Sequence, residues 1–443
     1  MSKFALLFIM VFFGGVIATF SYSGSSAVIL YQLVYFLNPD NRWWSSDIPG
    51  LSYSFITAIL MMLALAVHYR KYSQLSPWRQ QPWIKWMLAL LALYYIISTI
   101  ALVPSIHDRF TFDFLKLIIT VLVAYKLVHS KSVLHASIWA YLIGATYIGY
   151  LATVTGRNSG NRVEGIGLVD SPDANGTAAA LVPAAALLMY YAWLGNKRVK
   201  LLCVFCGALI ANGLVLINSR GAFLGGVVGG GVFLLYMIFS RHRREGQRVM
   251  AIAIIVLAMG GGYYVTDDQF WERMDTINDG SETQASEGGR VNFWLMTFEM
   301  AKDYPYGVGV HGYNQLAEFY LGEKFRNKSV HSLWFQGLSE VGWVGIGLFF
   351  LMLLSLYQIS RKAIKYLISI GNYEEYFLVR ALQCALLSYL VSGSFINQFR
   401  AVILYWMILL LGCAVNVYYL QVMANKDNSK SVTKLSQRHT HSG

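Results

Sequence analysis

The sequence predicts an all-α polytopic membrane protein of about 12 transmembrane helices. Three observations predict it. Of the 443 residues, 56% are hydrophobic and only 13% charged, with a mean hydropathy of +0.47, whereas soluble domains carry about a quarter charged residues. Apolar runs of roughly 18 or more residues recur, the length that spans hydrocarbon. The loops between them alternate between strongly basic and mixed-sign, the pattern by which membrane helices record their orientation.

In chain order the apolar segments fall at 4–20, 26–38, 51–68, 83–103, 110–128, 132–153, 176–194, 199–217, 221–240, 249–265, 332–357, 376–396 and 400–421. The first two are short and read as one broken crossing or a re-entrant pair. The opening MSKFALLFIMVFFGGVIATF has the outline of a secretory signal. No A-x-A-like site follows it and further spans come at once, so it is read as a retained membrane segment. Basic loops hold Arg70, Lys71, Arg79 and Lys85, then Lys126 and Lys131, then Lys197, Arg198 and Lys200. Two more hold Arg241, Arg243, Arg244 and Arg248, and Arg361, Lys362 and Lys365. With the basic tail they are assigned to the cytoplasm. Topology thus accounts for the net charge of +12, and no nucleic-acid partner is expected. The opposite face receives His107, Asp108 and Arg109, then Arg157, Arg162, Glu164, Asp170 and Asp173, then the long polar segment 266–331.

Within that segment FWERMDTI and VNFWLMTFEMAKDYP have helical apolar spacing. Breaks are predicted at Asp279-Gly280-Ser281 and Glu287-Gly288-Gly289, and a turn cluster over residues 304–309. The chain therefore divides into a transmembrane bundle (1–265), a large outer loop or lid (266–331), C-terminal transmembrane helices (332–423) and a disordered cytoplasmic tail (424–443). Four cysteines, Cys203, Cys206, Cys384 and Cys413, all lie in apolar segments. Redox or metal chemistry needs thiolates near water, so these are read as small hydrophobes.

Residues able to do chemistry gather at the outer face. Arg220, in INSRGAFLGG, opens a span at its outer end. An arginine at mid-bilayer costs about 2.5–3.5 kcal/mol, less near the interface, and such a residue usually has a partner or a ligand. Its planar fork suits phosphate; the alternative is an interfacial arginine snorkelling to water. The glycines that follow it read as helix-packing positions. Arg290 is either a solvated loop residue or, with two glycines before it, one held against the membrane mouth. His331 is either a general base or an interfacial cap. His311, in GVGVHGYNQ, is a lower-ranked rival. Glu340 lies at a nearly opposite azimuth to His331 and is not expected to pair with it. Lys116, Arg157, Arg162 and Arg400 are further candidates for the same mouth, as are Ser394, Asn397 and Gln398. There is no P-loop, no HExxH and no D-x-D. No row of charges crosses mid-membrane, as many ion-coupled transporters require.

Jointly, SRGAFLG, the Gly-Arg of the outer loop, VHSLWFQGLSEVGWVG at its exit and the order of spans resemble the O-antigen ligase/polymerase family of bacterial envelope proteins, over nearly the whole chain. YQLVYFLNPDNRWW and DSPDANGTAAALVPAAALL are similar to the ligase branch associated with exosortase systems. The resemblance implies a multi-pass glycosyltransferase of the C type (GT-C) in the bacterial inner membrane, with its active site on the periplasmic side. The donor it implies is a glycan on undecaprenyl pyrophosphate. The acceptor, for an O-antigen ligase of lipopolysaccharide biosynthesis, is a sugar hydroxyl of lipid A–core. The two essential arginines of the family fall on Arg220 and Arg290, and its essential histidine on His331. The chemistry expected is a single displacement with inversion, without metal or other cofactor. The arginines neutralise the pyrophosphate and His331 takes the acceptor proton. An O-antigen polymerase or a protein O-oligosaccharyltransferase would use the same donor. A lipid-linked oligosaccharide flippase would instead need cations deep in a central cavity.

Overall fold

A computed structural model describes residues 1–40, 42–275 and 290–426. Among these the chain is helical, and its extended pairings are two isolated bridges, Ser159 with Arg162 and Leu168 with Ser171. The predicted breaks at 279–281 and 287–289 and most of the predicted tail lie outside the described residues.

Each predicted apolar segment forms a helix. They are α1 (Lys3–Ser21), α2 (Ser26–Leu37), α3 (Tyr53–Val67), the short α4 (Tyr69–Leu75), α5 (Pro82–Ile97), α6 (Pro104–Leu127) and α7 (Lys131–Thr155). Then come α8 (Ala174–Leu181) and α9 (Ala184–Leu194), which form one span interrupted at Pro183, followed by α10 (Lys197–Ile217), α11 (Arg220–Phe239) and α12 (Gln247–Val265). The outer segment holds α13 (Asp268–Asp275), α14 (Arg290–Asp303) and α15 (Gly312–Leu321). The bundle closes with α16 (Leu333–Ser369), α17 (Tyr373–Gly393) and α18 (Val402–Val415), whose helix continues to Lys426, past the predicted start of the tail.

Among the described residues nine helices are long and apolar enough to cross a membrane, or ten if the bent pair Tyr53–Val67 and Tyr69–Gln80 is one span. The difference from about 12 has physical causes. Helix α2 has 12 residues and α5 has 16. Helix α6 has 24 but carries Asp108, Arg109, Asp113 and Lys116 within its first 13 residues. Helix α16 outruns its predicted end because Ile359, Ala363, Ile364 and Leu367 keep a buried stripe at helical spacing beyond the point where Arg361 and Lys362 dilute the apolar run.

Burial sorts the helices. Every residue of α18 from Ile403 to Val415 is buried, which makes it the bundle's centre. Helix α12 buries only Gln247 and Ala251 and presents the rest of its apolar surface outward. Helix α11 packs against α17 at backbone distance. A Cβ on Gly225 would stand 2.5 Å from the Ser388 carbonyl oxygen, and one on Gly229 2.8 Å from that of Cys384. The small-residue packing read from the sequence is realised at these two positions. All four cysteines are buried and unpaired.

The outer segment is fixed to the bundle by a break in α16. Gly342 has φ 63° and ψ −166° inside the helix, a conformation essentially confined to glycine. The break frees helical carbonyls, and the turn cluster supplies their donors. Val308 N–H donates to the Ser339 carbonyl (2.9 Å) and Gly309 N–H to that of Glu340 (3.0 Å), while Trp343 N–H donates to Pro305 (3.1 Å). The same strand of chain reaches α6, where Val310 N–H donates to His107 Nδ1 at 3.0 Å. Phe293, Met296, Met300, Tyr313 and Phe325 then close a small core beside it. Gly342→Ala would place a Cβ 2.3 Å from the Pro305 carbonyl oxygen. It is expected to lower stability by about 1–3 kcal/mol from backbone strain alone, read as a lower thermal unfolding midpoint of the purified protein.

Candidate active site

Where α10 gives way to α11 the chain reverses through Asn218, whose φ of 55° is the left-handed cap of α10. Helix α11 then starts at Arg220, and Ser219 at its N-cap makes no side-chain capping bond. The first N–H groups of a helix have no intrahelical acceptor and favour an anion. Arg220, Gly221 and Ala222 line a pocket here together with Arg162, Asn175, Arg290 and Ser392. The space it encloses is about 10 Å³, roughly room for one water.

Arg162 comes from the loop between α7 and α8. That loop is tied down along its length. Arg42 donates to the carbonyls of Gly165 (3.2 Å) and Gly167 (3.1 Å), and Asp170 accepts from Tyr35 Oη (2.6 Å) and Val402 N–H (2.7 Å). The guanidinium is aimed by Asn175 Oδ1 (2.9 Å) and the Asn218 carbonyl (3.3 Å). Arg290 is the first residue of α14. One turn on, Trp294 stacks on Phe335 of α16 with ring centroids 5.5 Å apart, and its indole N–H donates to the Val330 carbonyl at 3.2 Å. The helix bearing Arg290 is thereby joined to the backbone beside His331.

His331 is exposed, has φ 51° and lies 3.2 Å through Nε2 from Ser329 Oγ. Loss of hydration on the protein side, then the charge of Arg290, hold its imidazole below the ordinary value of 6.5, against a smaller opposing pull from Asp173. Burial likewise lowers Arg290, and burial followed by the competing fields of Glu164, Asp173 and Arg290 leaves Arg162 lowered. Three guanidiniums therefore converge on one opening whose described lining holds no acid. The hydroxyl of Ser392 on its wall is buried and, among the described residues, has no hydrogen-bond partner.

Four of the candidates go elsewhere. Arg400 is not at the mouth but in a buried ion pair with Glu340, sharing it with Tyr94 Oη (2.7 Å to Glu340) and Gln336 (2.8 Å). Glu340 therefore turns away from His331, as its azimuth predicted. Lys116 pairs with Asp113 at 2.6 Å on the exposed face of α6. Arg157 pairs with Asp267 and braces the loop against α13. His311 sits at the N-cap of α15 with φ 66° and does not line the pocket. Conversely, Arg162 ranks with Arg220 and Arg290 in the geometry. Ser392 and Phe395 enter the lining with no signal in sequence, since one ends an apolar helix and the other lies in the turn just after it.

Fold and site define the class first: an all-α polytopic membrane protein with three arginines gathered at one end of a spanning helix. Residues 205–350 match the family model described as O-antigen ligase, a stretch that contains Arg220, Arg290 and His331. No curated protein matches the chain. The match covers about a third of the chain, and what that part is similar to is the O-antigen ligase family.

Proposed function

We propose that the protein is an O-antigen ligase. It moves a glycan from undecaprenyl pyrophosphate to a hydroxyl of lipid A–core at the periplasmic face of the inner membrane. The observation that carries this reading is the convergence of Arg162, Arg220 and Arg290 at the N-terminus of α11, with His331 within the field of Arg290. A pyrophosphate ester is already a good leaving group; its departure needs its growing negative charge neutralised. Arginine forks and helix N–H groups aimed at that charge do this. The acceptor hydroxyl oxygen attacks the anomeric carbon as the carbon–oxygen bond to pyrophosphate breaks. His331 takes the hydroxyl proton, and undecaprenyl pyrophosphate leaves. One displacement inverts the anomeric centre. The outer segment 266–331 acts as a lid over this opening.

The reaction is read out by reconstituting purified protein with undecaprenyl-pyrophosphate glycan and lipid A–core in the presence of EDTA. Transfer to lipid A–core with inverted linkage is the expected result. Chain extension alone would make the enzyme a polymerase, and transfer only to protein an O-oligosaccharyltransferase. Arg162→Gln removes one charged donor and is expected to lower kcat/KM about 10–100-fold. An unchanged value for that variant would remove Arg162 from the pyrophosphate site.

A further inference from the structure

The other end of α11 carries a second cationic cleft, independent of the glycan-transfer reading. With 20 residues, α11 rises about 30 Å, the thickness of the hydrocarbon layer. Arg220 stands at one interface and Phe239 at the other. Helix α17 runs antiparallel to α11, so its first turns meet the last turns of α11. Between them opens a cleft of about 590 Å³ lined by Leu235, Tyr236, Phe239, Arg241, His242 and Tyr376, among others. His242 is held at its mouth by stacking on Tyr373, centroids 5.4 Å apart.

The wall is apolar and aromatic, whereas the mouth is cationic. Arg241 is exposed and has no carboxylate partner among the described residues. Behind the wall Arg380 lies 4.5 Å from the Tyr236 ring centroid and 5.6 Å from that of Tyr376. Its described side-chain partners are neutral, Tyr236 Oη and Gln383 Oε1, and its Nε is buried without one. The acids nearest the mouth are engaged, Glu374 with Arg244 at 2.6 Å and Glu375 with Lys131; Glu245 is exposed to water. With no acid paired to it among the described residues, Arg380 adds a positive charge behind the tyrosine wall. Basic pockets between helices on the face with the basic loops suit lipid phosphates.

We propose that this cleft binds one anionic phospholipid, its phosphate against Arg241 and His242 and an acyl chain along Leu235, Phe239 and the tyrosine faces. Free phosphate would satisfy the mouth but leave the apolar wall uncovered. The test is titration of delipidated, detergent-solubilised full-length protein with phosphatidylglycerol and with phosphatidylcholine of the same acyl chains, followed by native mass spectrometry. Phosphatidylglycerol is expected to bind saturably and more tightly. Arg241→Gln, a change at an exposed residue, should weaken it about fivefold, and adding Tyr376→Ala should weaken it further. Arg361→Gln, elsewhere among the basic residues, should leave it unchanged. Equal binding of phosphatidylcholine, unchanged affinity in Arg241→Gln, or displacement by inorganic phosphate at the lipid's own concentration would each overturn the proposal.

Discussion

Arg290→Ala is expected to lower kcat/KM for glycan transfer about 10²–10³-fold while leaving the protein at least as stable as before. The two halves of this expectation come from the same geometry. Removing one preorganised charge donor from a site where charge develops costs about 2.7–4 kcal/mol of transition-state stabilisation. In the absence of substrate that charge has the opposite sign of effect. Arg290 opposes the charge of Arg162 by repulsion, and both line the pocket, so truncating Arg290 relieves like-charge repulsion there. A residue kept for stability would lower the unfolding midpoint on truncation. A residue kept for pyrophosphate lowers activity and abolishes the rise in midpoint that inorganic pyrophosphate gives the wild type. Arg290→Lys should recover only part of the rate, because a point charge cannot hold two phosphate oxygens at once. A drop in midpoint with unchanged transfer would reassign Arg290 to structure.

How far the sequence revealed this site depends on which interaction placed each residue. Helix positions were legible because lipid-length apolar runs leave the backbone no other way to satisfy itself. Arg220 was legible for a related reason: a charge at a span's end is costly enough to need explaining. Arg162 was harder to rank. Its loop has no periodicity, and its placement rests on Arg42 and Asp170 bonding to backbone groups across more than a hundred residues. Arg400 misled because its partner Glu340 is 60 residues away in sequence and only the fold shows them paired. The break at Gly342 was hidden by the apolar run on both sides of it, although it decides where the outer segment attaches.

His331→Ala is expected to lower the rate about 10²–10⁴-fold, the usual span for a lost general base, without loss of pyrophosphate binding. The pH dependence separates this from a merely structural histidine. A base must be neutral to accept a proton. Desolvation, then Arg290, hold His331 below 6.5, so the wild type should keep full kcat/KM at neutral pH and lose it as pH falls through that depressed value. The sign for the neighbouring charge follows. Arg290→Gln removes a cation that disfavours the imidazolium, so the acid limb of the residual activity should move to higher pH. Asp173→Asn removes an anion that favours the imidazolium, so its acid limb should move to lower pH. These opposite displacements cannot come from a general loss of folding, which would lower the whole profile in both variants. Full activity in His331→Ala, or an acid limb fixed in place in both neighbours, would take the proton-transfer role away from this histidine.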